Sequence, residues 1–147
     1  MNPYQFFWDT MELCDWSAQG DDAAVLKPVI VALSKREDSD IFCFHDQMVE
    51  LLYGLDSRAL AEQCRKAEPY MSGDSFLYSR CVALINGPEY YEEAKNGKKK
   101  EIWNMEFESL IYIPERAWAK KHQAVCEDYP HIPPVSFETG SNKEGWK

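Results

Sequence analysis

Glycine-rich phosphate loops, paired cysteines, clustered histidines and long apolar runs are all missing from this chain of 147 residues. Its seven glycines form no Gly-x-x-x-x-Gly-Lys, Gly-x-Gly-x-x-Gly or Gly-x-Ser-x-Gly arrangement, so neither a nucleotide cradle nor a nucleophile elbow is written in it. The three histidines, His45, His122 and His131, make no His-x-x-x-His pair, and no cysteine stands at ligand spacing. Zinc is therefore disfavoured, and no metal or other cofactor is expected. Five cysteines, Cys14, Cys43, Cys64, Cys81 and Cys126, are an odd number without a Cys-x-x-Cys pair. They read as reduced thiols of a cytoplasmic protein, not as a disulfide framework. No window approaches the roughly 18 apolar residues that a membrane span needs. The stretch from Met1 to Cys14 has no basic residue ahead of its apolar positions and carries Asp9 and Glu12, so no secretory signal is expected.

Positive charge is scarce as well. Residues 1–94 hold 17 Asp and Glu against 7 Lys and Arg, whereas residues 95–147 hold 8 against 9, for a formal net charge of -9. Phosphate backbones are held by cations, so direct nucleic-acid binding is not expected. The acidic two-thirds instead carries a field that would attract a basic protein. The single basic run, Lys98-Lys99-Lys100, reads as a solvated turn.

What is present is the composition of a globular domain: 45% hydrophobic residues, 14% of the chain aromatic, and a length that supports a core without staples. The apolar spacing is helical almost throughout, and neither an internal repeat nor an alternating strand run stands out. A first helix is expected over about Tyr4–Ala18, with Asn2 as cap and Pro3 in the first turn. A second follows Asp21 or Asp22 to about Leu33, disturbed at Pro28. Ser34 and Glu37 have the spacing of a capping box for a third helix, carrying Ile41, Phe44, Met48, Leu51, Leu52 and Leu55. Asp56 is expected to cap a fourth helix that Pro69 stops. A fifth starts near Ser72 or Asp74 and closes at Asn86-Gly87, and Pro88 opens a sixth to Asn96. A seventh spans about Met105–Gln123, kinked at Pro114. From Glu127 onward, Pro130, Pro133, Pro134, Gly140 and Gly145 exclude a regular helix. The expected fold is thus all-α, about seven helices in one domain, with residues 1–126 helical and an extended, Pro-rich C-terminal tail, 127–147, packed on the body by Tyr129, Ile132, Val135, Phe137 and Trp146.

Two groups of residues invite a functional reading. On the third helix, Phe42, His45, Asp46, Glu50 and Tyr53 flank the apolar stripe, and Asp38 and Asp40 precede them. Such a mixed aromatic and acidic face could grip a basic partner, or poise His45 for acid/base work, or simply bond to neighbouring helices. On the fifth helix, Asp74, Tyr78 and Arg80 lie on neighbouring turns, and an arginine among Phe76, Leu77 and Leu84 calls for a carboxylate such as Glu108 or Asp46. That group reads either as a structural ion pair or as part of a pocket for an anion.

In order, the blocks Phe7-Trp8, Ala32-Leu33-Ser34, Phe44-His45-Asp46-Gln47-Met48, Leu52-Tyr53-Gly54-Leu55-Asp56, Met71-Ser72-x-Asp74-x-Phe76-Leu77-Tyr78-x-Arg80-Cys81, Phe107-Glu108-x-Leu110 and Glu138-Thr139-x-Ser141-Asn142 resemble the bacterial domain-of-unknown-function family "forty-two forty". The resemblance implies a small, helical, cytosolic bacterial protein, and it brings no reaction, cofactor or catalytic residue. A shared site would have to use the polar positions of those blocks: His45, Asp46, Asp56, Asp74, Arg80, Glu108 and Glu138. The leading functional expectation is a non-enzymatic acidic binding module, an immunity or antitoxin-type inhibitor of a basic partner such as a nuclease toxin, acting through Asp38, Asp40, Phe42, His45, Asp46, Glu50 and Tyr53. The alternative is a small-ligand protein or enzyme with a pocket near His45, Asp74, Tyr78, Arg80 and Glu108.

Overall fold

At five helix starts in this protein the orphan amides of the first turn are met by a nearby side chain or removed by a proline. The computed structural model describes residues 2–147; Met1 lies outside them. Among the described residues there are seven α-helices and no strand. They are α1 (Gln5–Met11), α2 (Asp22–Ser34), α3 (Asp38–Gly54), α4 (Arg58–Ala67), α5 (Gly73–Leu84), α6 (Pro88–Lys95) and α7 (Ile113–His122). Short 3-10 turns cover Trp16–Ala18, Lys100–Asn104, Glu108–Tyr112 and Cys126–Asp128. The Asp21 carboxylate accepts from the Ala24 amide at the start of α2. Ser72 and Ser75 exchange side-chain and backbone bonds, at 3.0 and 2.8 Å, at the start of α5. Pro88 opens α6 after Gly87, whose φ of +91° suits a residue without a Cβ.

Several boundaries depart from the sequence pattern. α1 stops at Met11 because the Leu13 and Cys14 amides turn to Thr10 and Met11, three residues back, and Asp15 then caps the Trp16–Ala18 turn. Ser34 is the last residue of α2, not the cap of α3. Its hydroxyl donates to the Val31 carbonyl at 2.7 Å, while the Glu37 carbonyl accepts from Asp40 and Ile41 to open α3. The stripe of Val25, Leu26, Val29 and Leu33, all buried, keeps α2 going past Pro28 to that point. Ser57, not Asp56, caps α4, accepting from the Leu60 amide at 3.3 Å. Pro114 sits in the first turn of α7 and starts the helix there instead of kinking it.

The chain falls into two compact units. The first holds the described residues up to Gln47 together with Ser109–Pro134. In it, α2 packs on α7 and on α1, over a core of Phe7, Leu26, Val29, Leu33, Ile41, Phe44, Leu110, Ile113 and Ala117. The Phe7 ring lies 5.0 Å from those of both Trp8 and Phe44, so aromatic packing knits α1 to the first half of α3.

The second unit holds Met48–Glu108 and Val135–Lys147. Here α4 and α5 both pack on the Lys100–Asn104 turn, and α5 also meets α6, around Leu52, Leu55, Leu60, Phe76, Cys81, Leu84, Ile102 and Trp103. Burying each of these large side chains contributes about 1.5–3 kcal/mol relative to exposure.

Candidate functional site

In the first unit, the α3 face singled out in the sequence is occupied by the chain itself. Asp38, Phe42, His45 and Asp46 follow helical spacing along one side of α3. The segment 121–131 lies against them. Lys121 Nζ and His122 Nε2 reach the Asp38 carboxylate at 2.7 and 2.9 Å. His131 Nε2 meets Asp46 at 2.7 Å, its ring stacks on Phe42 at 4.7 Å, and His45 Nδ1 lies 2.9 Å from the Tyr129 hydroxyl. Asp40 pairs with Arg36 one turn back. Hydrogen bonds from Lys121 and then His122 hold the Asp38 carboxyl below its usual range. Burial, and next the neighbouring His131, push His45 down to about 4, against a pull from Asp46. His45 is therefore neutral near pH 7, and its Nδ1 shares a hydrogen bond with the Tyr129 hydroxyl whose direction follows the ring's tautomer. Burial, followed by the charges of Asp46, Glu115 and Asp38, raises the Tyr129 phenol and keeps it protonated. The aromatic and acidic residues of this face thus already hold partners within their own unit.

Glu50 and Tyr53, also expected on that face, belong to the second unit. Glu50 is exposed, and the Tyr53 carbonyl accepts from the Asn142 side chain at 2.9 Å.

Two wholly buried charges organise the second unit. Arg80 donates Nη1 to the Leu52 carbonyl at 2.9 Å, and Nη2 to the Phe137 carbonyl and the Thr139 hydroxyl at 2.9 and 3.1 Å. Its guanidinium lies 4.7 Å over the Phe76 ring, and Nε has no hydrogen-bond partner. The carboxylate expected beside Arg80 is replaced by carbonyls and a hydroxyl, because Phe137 and Thr139 fold back over α5. Burial draws the Arg80 pKa down, and the charge of Asp56 opposes that shift most strongly.

Asp56 accepts from the Gly140 and Asn142 amides at 3.0 Å and from the Trp146 indole at 2.7 Å. Gly145 passes so close that a Cβ there would stand 2.5 Å from the Asp56 carbonyl.

At the surface of the same unit, four exposed carboxylates from three stretches of chain lie close enough for their charges to reach Tyr78: Asp74 on α5, Glu106 and Glu108 beyond the Lys100–Asn104 turn, and Glu138. Partial burial first, and then these carboxylates in the order Glu108, Asp74, Glu106 and Glu138, raise the Tyr78 phenol above its ordinary value. Asp74, Glu106 and Glu138 enter no ion pair among the described residues. The Phe107 amide bonds to the Tyr78 carbonyl at 3.0 Å, which pins the glutamate stretch beside α5. Next to it opens a recess of about 310 Å³ lined by Glu68, Tyr70, Met71, Ser72, Trp103 and Glu106, with Tyr70 wholly exposed. The sequence pointed to Asp74, Tyr78 and Glu108 but missed Glu68, Tyr70 and Glu106. The alternation Glu106-Phe107-Glu108, with only the middle residue buried, is an extended-chain signal that was absorbed into an expected helix. His45 lies in the first unit, and Asp74, Tyr78, Arg80 and Glu108 in the second.

Among the described residues no group of three or more His, Cys, Asp and Glu is placed to hold a metal ion, and no helix is long and apolar enough to cross a membrane. All five cysteines are free thiols. No curated protein and no solved structure matches the chain. The profile of a family described as "Protein of unknown function (DUF4240)" matches residues 3–120, a span that includes both α3 and α5 but stops short of Tyr129, His131 and Glu138, and the chain belongs to that family.

Proposed function

We propose that the protein is a non-enzymatic, acidic protein-binding module whose partner is a basic protein, in its most concrete form a bacterial, cytoplasmic immunity or antitoxin-type inhibitor of a nuclease toxin. The observation that carries the reading is the gathering of carboxylates near Tyr78: Asp74 one turn before it on α5, Glu106 and Glu108 on either side of Phe107, whose amide bonds to the Tyr78 carbonyl, and Glu138 next to Thr139, whose hydroxyl bonds to the Gly73 carbonyl. Carboxylates gathered around a tyrosine offer a steering field together with an aromatic anchor, the combination that captures lysine- and arginine-rich surfaces quickly and with salt-sensitive affinity. The adjoining recess, with Glu68 and Glu106 in its wall, has room for one long cationic side chain. The partner-binding surface moves in this reading from the α3 face, where Asp38 and Asp46 are already engaged, to α5 and its surroundings. The extended segment 127–147 belongs to the same reading as a packed tail, supported by the bonds of Gly140, Asn142 and Trp146 to Asp56, and it delivers Glu138 to the patch. The alternative, a small-ligand protein or enzyme around His45, Asp74, Arg80 and Glu108, has less support, since both Nη atoms of Arg80 are engaged by Leu52, Phe137 and Thr139.

The test is affinity capture from a lysate of the source organism at low and high salt. It would use the native chain, the triple variant Asp74→Lys/Glu106→Lys/Glu138→Lys, and Asp9→Lys/Glu12→Lys/Glu92→Lys, all at exposed positions, as a charge-matched control. One stoichiometric basic protein should be captured at low salt by the native chain and the control, weaken at high salt and be lost from the triple variant. If that protein cleaves nucleic acid, the native chain should inhibit it. Retention of the partner by the triple variant, or no basic partner at either salt, overturns the reading.

A further inference from the structure

The first unit carries a groove of the opposite character. Between α2 and α7 lies a depression of about 290 Å³ whose floor is apolar, formed by Ala23, Ala24, Leu26, Ile30 and Val31 of α2. Three cations also line it: Lys27 from α2, and Arg116 and Lys120 from α7. In a chain of net charge -9, with 16 Lys and Arg against 25 Asp and Glu, three cations around one apolar strip are a local reversal of sign. None of the three makes an ion pair among the described residues, and all three are exposed. Arg116 rests 5.3 Å over the Tyr112 ring, which steadies its guanidinium without neutralising it. The one acidic side chain in the lining, Asp21, is turned to the Ala24 amide as the cap of α2.

The geometry points to an amphipathic helix with acidic flanks, presented by a partner protein, as the occupant of this groove. Two features favour a helix over an enclosed small molecule. The floor residues repeat with helical spacing along α2 (Ala23, Leu26, Ile30, and Ala24 with Val31), so the strip is a ridge against which a third helix can lay its own apolar stripe. The two alanines at one end let that helix approach closely. The volume also falls at the lower edge of what small-ligand pockets enclose, about 300–1,000 Å³. Charge complementarity fixes the remaining chemistry. Arg116 and Lys120 stand one turn apart on α7, and Lys27 rises from α2 among the apolar residues, so Asp or Glu beside the incoming stripe would meet a cation. This surface is separate from the Tyr78 patch in residues, unit and sign, and it does not depend on the proposed toxin partner.

The experiment uses the whole chain and a fluorescein-labelled, 14-residue probe peptide with leucines at positions 2, 5, 6, 9, 12 and 13 and glutamates flanking them. A second peptide carries lysines in place of the glutamates. Fluorescence anisotropy should show saturable binding of the glutamate peptide, at least tenfold weaker for Lys27→Glu/Lys120→Glu and for Ile30→Asp, and at least tenfold weaker for the lysine peptide. Lys27→Ala/Lys120→Ala, confined to exposed side chains, serves as the variant whose fold is least at risk, and it should weaken binding severalfold while keeping the native circular dichroism and melting temperature. Equal binding of both peptides, no saturable binding of the glutamate peptide up to millimolar concentration, or binding of decanoate in its place would each overturn the assignment.

Discussion

Arg80 and Asp56 are wholly buried ions whose nearest partners are neutral, an arrangement that makes each intolerant of change. Arg80→Met should cost about 3–5 kcal/mol in urea unfolding, since it leaves the Leu52 and Phe137 carbonyls buried without their donor. Arg80→Lys keeps the charge but not the planar fork, and should cost about 1–3 kcal/mol. Asp56→Asn should cost about 2–4 kcal/mol and expose the Gly140 and Asn142 amides to hydrogen exchange. His45 titrates in the other unit. Its pKa is lowered to about 4 in the folded protein against an ordinary 6.5, so the unfolded chain binds the extra proton first as the pH falls. The stability from its neutral, buried state is complete above pH 6.5 and is lost as the pH drops toward 4. After allowance for solvent reaching the ring, the loss is on the order of 2 kcal/mol. Denaturant midpoints across that range should show the slope, and His45→Gln should flatten it.

At the scale of the element, capping chemistry was readable as a vocabulary but not as an address. Ser34 followed by Glu37, Asp56 before Arg58, and Ser72 before Ser75 all spell possible helix starts; only Ser72 acts as one, while Ser57 takes the position expected of Asp56. The decision at Ser34 belongs to α2, whose apolar stripe runs on to Leu33. Ser72→Ala should therefore cost about 1 kcal/mol, whereas Ser34→Ala should stay within about 0.5 kcal/mol, measured side by side by thermal melting. The helices themselves were legible because apolar periodicity is local. What occupies Asp56 and Arg80 was not, because Gly140, Asn142 and Trp146 lie 84 to 90 residues beyond Asp56, and Phe137 and Thr139 lie 57 and 59 beyond Arg80. Asp74, Tyr78 and Glu108 could be picked from helix spacing and family-like blocks; that they share one surface with Glu106 and Glu138 needed the fold. Gly145→Ala tests this long-range closure directly. Its Cβ would meet the Asp56 carbonyl, so the variant should loosen the last turn and shift Trp146 emission to longer wavelength.

For the whole molecule, charge is the quantity that acts at a distance. Twelve acidic residues against six basic ones fall in the first unit, thirteen against ten in the second, so both carry an excess of the same sign. The ion pairs are few and partly solvent-exposed, and contribute little to offset that excess. Screening should therefore stabilise: raising sodium chloride from about 0.02 to about 0.5 M should lift the melting temperature by about 2–4 °C. A fall with salt would mean that the pairs at Asp38 and Asp46 outweigh the general repulsion.

The distance from Asp56 to Trp146 also has a meaning in time. A ribosome adding about 5–20 residues per second needs roughly 5–20 s to pass from the first to the second. For most of that interval Asp56, in the link between α3 and α4, waits for the amides and the indole that bind it, and Arg80, once made, has the Leu52 carbonyl but neither Phe137 nor Thr139. The second unit must stay open to water, or to a chaperone, until Trp146 has been made, and the closing of its core is timed by that residue.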